Sequence, residues 1–200
     1  MFLLASASPR RKALLEKAGY VFEVKPSNID EPIQSEDPTE HAELTAKMKA
    51  EAVEGEVVLA ADTVVSLDKR IIGKPKDEED AIRILKRLSG RKHEVITGVA
   101  LICNGKTTLQ HEKTELFFRE LSDDEISQYA RTGEPLGKAG AYAIQRRGFN
   151  LISRISGSYT NVVGLPMELT KRMLSSVGIE PTTQPSEPTI QSSEPTTQSS

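Results

Sequence analysis

The chain has no tryptophan and a single cysteine, Cys103. One thiol excludes an internal disulfide, and its place in an apolar run predicts a small core residue. Long apolar runs are missing as well: nothing approaches the roughly 18 consecutive residues of a membrane-spanning helix. The apolar start, Phe2 to Ala5, is short, and Arg10 and Arg11 follow it, the reverse of a secretory leader. No membrane partner is expected, and a cytoplasmic protein is. Positive charge is not in excess: 26 Lys and Arg face 29 Asp and Glu, a net charge of −3. With no basic stripe interleaved with aromatics, no nucleic acid partner is expected. His41, His93 and His111 are scattered without metal-ligand spacing, and the last two are expected on strand faces without a catalytic role. Neither a GxGxxG fingerprint nor a GxxxxGK[ST] loop occurs, so the two commonest phosphate-binding folds are not indicated.

What is present alternates strand and helix signals over residues 1–179. Phe2 to Ala5 and Tyr20 to Lys25 read as strands. Ser8 caps a helix that Pro9 opens. Asp37 caps a second, with Glu40 at its third position and an expected inward stripe of Leu44, Met48, Ala52 and Val53. Val57 to Ala61 is a continuous apolar run, suited to a strand covered on both faces. Asp77 to Leu88 is amphipathic, with Gly90 as its stop. Val95 to Cys103 and Lys106 to Arg119 flank Asn104-Gly105, a hairpin signal. Ser122 to Glu125 is a capping box, Asn150 to Ile155 a further strand, and Pro166 opens a last helix to about Ser176. Parallel crossovers beside a long hairpin predict an α/β fold with a mixed sheet and flanking helices. Residues 180–200 are a tandem repeat, EPTTQPS, EPTIQSS, EPTTQSS. With Ile190 as its one large apolar residue and proline in every unit, it is expected to be a disordered tail, because it cannot bury enough surface to offset its ordering entropy.

Five places carry chemistry. Arg10, Arg11 and Lys12 stand in the first turn of the Pro9 helix, where the dipole and free N–H groups attract anions and where stability alone would favour Asp or Glu. That pattern suits a polyphosphate; its plain alternative is a basic surface turn. Asp62 breaks the apolar run at the expected carboxyl end of a central strand, where α/β sheets bind ligands, and Thr63 adds a hydroxyl. A carboxylate there can hold a divalent metal or orient a water, or simply cap a turn. Gly73-Lys74-Pro75 offers a point charge on a stiffened turn. Lys49 lies at the edge of the expected stripe, within reach of a cleft. The stretch Gly133 to Gln145, rich in glycine and alanine, lets backbone pass close to a ligand. The Gln145 amide can match the alternating carbonyl and N–H edge of uracil or thymine. Solvated lysines, and a small-residue strand with Gln145 on its surface, are the structural alternatives.

The blocks SASPRR, AADTVV, GKP, KAGAYAIQ and GSYTNVVGLP stand in the order found in Maf-type nucleotide pyrophosphatases, and over residues 2–176 the chain resembles that family. The resemblance implies a two-lobed α/β fold of the Maf and ITPase type with an active-site cleft. It implies hydrolysis of a nucleoside triphosphate to the monophosphate and pyrophosphate, a divalent cation (Mg²⁺ or Mn²⁺), and a homodimer. The role it carries for Asp62 is that of proton acceptor and for Glu31 that of a cleft residue; these two carboxylates are expected to hold the divalent metal. Arg10, Thr63 and Gln145 set substrate choice, and Ser6, Arg11, Lys49 and Lys74 complete the cleft. Arg10, Arg11, Lys49 and Lys74 are expected on phosphate oxygens. The KAGAYAIQ form resembles the branch acting on dTTP and UTP; many of its members carry aspartate where Gly137 stands here. The competing class is a non-catalytic nucleotide-binding regulator using the same basic turn.

Overall fold

The computed structural model describes residues 1–182. The expected repeat tail lies outside the described residues from 183 onward; its first residues still touch the fold, with Thr182 donating from its amide and hydroxyl to the Gly19 carbonyl. The elements run β1 (Phe2–Leu4), α1 (Pro9–Lys17), β2 (Phe22–Val24), α2 (Pro38–Glu51), β3 (Val57–Leu67), β4 (Arg70–Ile72), α3 (Glu78–Leu88), β5 (Lys92–Cys103), β6 (Lys106–Phe118), α4 (Asp123–Arg131), β7 (Ile152–Ser156), α5 (Tyr159–Val163) and α6 (Met167–Ser175). They build one mixed sheet in the order β2-β1-β3-β5-β6-β7, with β4 pairing β3. β1 is parallel to β2 and β3; every other pair is antiparallel.

The local signals set most of these boundaries. The Ser8 hydroxyl accepts from the Arg11 amide, and Asp37 accepts from the amides of Thr39 and Glu40. Ser122 and Glu125 form a reciprocal capping box at the start of α4. Asn104 and Gly105 both have positive φ, +50° and +77°, as a two-residue type I′ hairpin requires. β4 and α5 carry no strong sequence signal of their own and arise from tertiary pairing.

Three expectations are corrected. β3 does not stop at Ala61 but runs on to Leu67, so Asp62 stands in mid-strand. The buried face of α2 is His41, Ala42, Thr45, Ala46, Lys49 and Ala50; Leu44 and Met48 are half-buried and Ala52 is exposed. The helix lies flat on β3 and β5, and small residues permit that approach where Leu and Met would hold it away. Cys103 is half-buried beside the hairpin, at the strand end rather than in the core.

The long strands β3 and β5 pass through two apolar clusters. One joins Phe2, Leu15, Leu59, Ala61 and Val99 to Leu165, Met173 and Leu174. The other joins Val65, Leu67, Ile72, Leu85 and Val95 to Ile126, Tyr129, Tyr142 and Ile144. These are the cores of two lobes, and the same strands tie them together.

Candidate active site

A cleft of about 1530 Å³ opens between the lobes, and Ser6, Arg10, Arg11, Glu31, Lys49, Asp62, Thr63, Lys74 and Gln145 all line it. Its position follows from the strand partners of β3. β1 pairs with β3 at Val58 and Leu59, and the Ala5 amide closes that ladder on the Leu59 carbonyl. β4 takes up the same edge only at Val65. Between these points β3 has no strand neighbour on that side. Successive side chains point to opposite faces of a strand, so Asp62 and Thr63 normally could not share a site. At this gap both reach the same opening.

Asp62 faces α2. Its register partner on β5 is Gly98. A Cβ on Gly98 would stand 2.4 Å from the backbone carbonyl atoms of Ala42, so only glycine lets α2 press down at this point. Two helical turns later, Lys49 Nζ donates to Asp62 Oδ1 at 2.7 Å and lies 2.9 Å from Glu31 Oε1. Lys49 and Asp62 are buried, whereas Glu31 is exposed on the irregular segment before α2. Lys49 therefore sits between two carboxylates instead of facing the cleft alone, with one N–H left of the three that an ammonium carries.

Thr63 faces the other side. Its Oγ1 accepts from Arg11 Nη2 at 3.1 Å and shares a hydrogen bond with Thr97 Oγ1 at 2.9 Å. Arg11 also donates from Nε to the Gly164 carbonyl at 2.8 Å and from Nη1 to Ser6 Oγ at 3.2 Å. Burial lowers its pKa, Asp62 and Glu31 raise it, and Arg10 lowers it; a guanidinium keeps its proton regardless. Arg10 makes no side-chain hydrogen bond among the described residues, and burial lowers its pKa too. Adjacent arginines thus differ: Arg11 is fixed by the protein, whereas the Arg10 side chain lines the cleft with no partner among the described residues.

Lys74 stands exposed at the rim without an ion pair among the described residues. The preceding Gly73 carbonyl accepts from the Gly140 amide at 3.2 Å, which ties the Lys74 turn to the glycine-rich stretch. That stretch is not a strand. It is an irregular loop with 3₁₀ turns at Ala139–Ala141 and Arg147–Leu151, and Gln145 projects from it, exposed. Sequence reasoning overlooked Lys138, Arg146 and Arg147, which also line the cleft. Lys138 Nζ donates to the Glu134 carbonyl at 2.7 Å; burial, then Arg10, lowers its pKa. The arginine doublet after Gln145 was a signal of the same kind as Arg10-Arg11.

In sum, seven cationic side chains and three carboxylates (Glu31, Asp62, Glu134) line the cleft, a local excess of four positive charges on a chain whose net charge is −3. Such a concavity concentrates polyanions. Asp62 and Glu31 supply two hard carboxylates meeting at one cation. That set fits Mg²⁺ or Mn²⁺, which take one or two carboxylates and complete their shell with phosphate oxygens and water. An all-protein cage is not built: among the described residues no group of three or more His, Cys, Asp or Glu converges.

The chain is similar to several known proteins. A family model described as Maf-like protein matches residues 1–177. A dTTP/UTP pyrophosphatase of Geobacter sp. (strain M21) is 49% identical over 172 residues, 82% of this chain and 89% of that protein. One of Anaeromyxobacter dehalogenans is 47% identical over 190 residues, 92% of this chain and 97% of the relative. The solved structure of a HAM1 protein from Coxiella burnetii aligns with a TM-score of 0.44 at 19% identity, over 59% of this chain and 73% of its own.

Proposed function

The chain belongs to the Maf family, and from that premise we propose that it is a nucleoside triphosphate pyrophosphatase acting on dTTP and UTP, or on modified pyrimidine triphosphates. The observation that carries this reading is the excess of cations gathered around the buried Lys49–Asp62 pair. A triphosphate brings about four negative charges, and phosphoryl transfer is catalysed mainly by positioning and charge stabilisation.

Water attacks the α-phosphorus. A bond forms from the water oxygen to phosphorus, the bond to the α–β bridging oxygen breaks, and pyrophosphate leaves. Asp62 orients the water and takes its proton. Lys49 holds Oδ1 of Asp62 at 2.7 Å and so keeps the carboxylate in one orientation. Arg10 and Lys74, whose side chains have no partner among the described residues, meet phosphate oxygens. Arg11 contributes its two remaining N–H groups from a fixed position. Glu31 and Asp62 would hold the divalent cation, which supplies charge neutralisation on the phosphates when bound. Gln145 reads the pyrimidine edge. The family resemblance supports a homodimer in the cytoplasm; no described helix is long and apolar enough to cross a membrane.

The test is pyrophosphate release across dTTP, UTP, CTP, GTP and 7-methyl-GTP with Mg²⁺. Fastest turnover on dTTP and UTP is expected, and Asp62→Asn should lower kcat by about 10² or more, the range of general acid–base catalysis. Binding without turnover by the native protein would make it a regulator. Near-normal release by Asp62→Asn would remove that carboxylate from the chemistry.

A further inference from the structure

Gln145 is exposed and makes no side-chain hydrogen bond among the described residues, so its aim depends on the backbone that carries it. That backbone is irregular, yet it is held at both ends by one pair of side chains. The Tyr129 hydroxyl, on the buried face of α4, accepts from the Ala143 amide at 3.1 Å and donates to Glu134 Oε1 at 2.9 Å. The same Oε1 accepts from the Gly148 amide at 3.1 Å. The two anchored amides stand two residues before Gln145 and three after it. The ends of the loop also touch: a Cβ on Gly148 would lie 2.4 Å from the Ala143 carbonyl oxygen and 2.7 Å from the Tyr129 hydroxyl.

We infer that Tyr129 and Glu134 are positioning residues for base recognition, holding the Ala143–Gly148 loop in the form that presents Gln145. The inference rests on the reading of the cleft as a pyrimidine triphosphate site. A carboxylate beside a triphosphate is electrostatically unfavourable, so Glu134 calls for a role. Its two side-chain bonds run through one oxygen into the loop, and bonds to a charged acceptor are stronger than neutral ones. Its backbone carbonyl holds Lys138 at the same wall. Burial raises the Tyr129 pKa, so the phenol remains a donor to the carboxylate at neutral pH.

Two readouts test this on the full chain with Tyr129→Phe, Glu134→Ala and Glu134→Gln. The first is kcat and KM for dTTP and UTP. Losing one such hydrogen bond corresponds to about a tenfold effect. Tyr129→Phe and Glu134→Ala each remove two of these bonds and should therefore raise KM about tenfold or more with kcat within about twofold, the reverse of Asp62→Asn. Glu134→Gln keeps an oxygen acceptor for both donors and should restore most of the lost affinity. Unchanged KM, or a fall in kcat alone, would overturn the assignment. The second readout is hydrogen–deuterium exchange at residues 143–148, which needs no activity. Exchange about tenfold faster in Tyr129→Phe, with the α4 and β5 amides still protected, is expected; unchanged exchange would overturn the inference. A native protein inert on every nucleotide would instead refute the proposed activity, and exchange would still decide the loop.

Discussion

Arg10 and Arg11 are neighbours of the same type, and sequence gives no ground for separating them. Arg11 donates to Gly164, Ser6 and Thr63, whereas Arg10 donates to nothing among the described residues. Lys49 shows the same limit. Helical spacing correctly puts it on a different side from Lys47, which pairs outward with Glu51. The expected stripe through Leu44 and Met48, however, is displaced from the buried face of the helix. Gln145 was legible as an amide suited to a pyrimidine edge, though not as one displayed from an irregular loop. Gln145→Glu removes a donor and adds a negative charge beside the phosphates. It should raise KM for dTTP and UTP by about tenfold or more, since an unpaired polar group costs about 1–3 kcal/mol. Equal losses of kcat/KM on every nucleotide would take Gln145 out of base recognition.

Elements place these residues, and β3 matters most. Its apolar beginning was readable, but its continuation past Asp62 was not, because a buried carboxylate in a run of alanine and valine looks like an ending. The strand persists because β5 pairs with it without interruption from Val57 to Ser66, while the other edge changes partner from β1 to β4. The cleft is that change of partner. α2 then has to lie close enough for Lys49 to reach Asp62, which requires Gly98. Gly98→Ala should cost about 1–3 kcal/mol through overpacking and lower turnover by moving α2 away from β3. Thermal melts and kcat on dTTP check both effects; an unshifted midpoint would mean that α2 yields without strain.

At the scale of the whole molecule, two cores share their strands, and a buried histidine links strand to loop. His93 on β5 shares a hydrogen bond with the Tyr142 hydroxyl at 2.9 Å and packs edge-on against Phe118. Burial lowers its pKa from 6.5 to about 4. Between those values the unfolded chain binds a proton that the folded protein refuses, so stability rises with pH there and is lost as pH falls toward 4. Calorimetry in steps from pH 7 to 4 should show a flatter midpoint for His93→Gln than for the native protein; parallel curves would assign the acid loss to carboxylates. Neighbours along the chain set the caps at Ser8, Asp37 and Ser122 and the Asn104-Gly105 hairpin, and so made these and the mixed α/β class legible in advance. Those depend on contacts within a turn or two. Three-dimensional packing was needed to put Lys49 between Asp62 and Glu31, to open Thr63 and Asp62 onto one cleft, and to bring the cations of a net-acidic chain together. Residues far apart in sequence meet only when sheet register and helix packing bring them together, and no local preference encodes that distance.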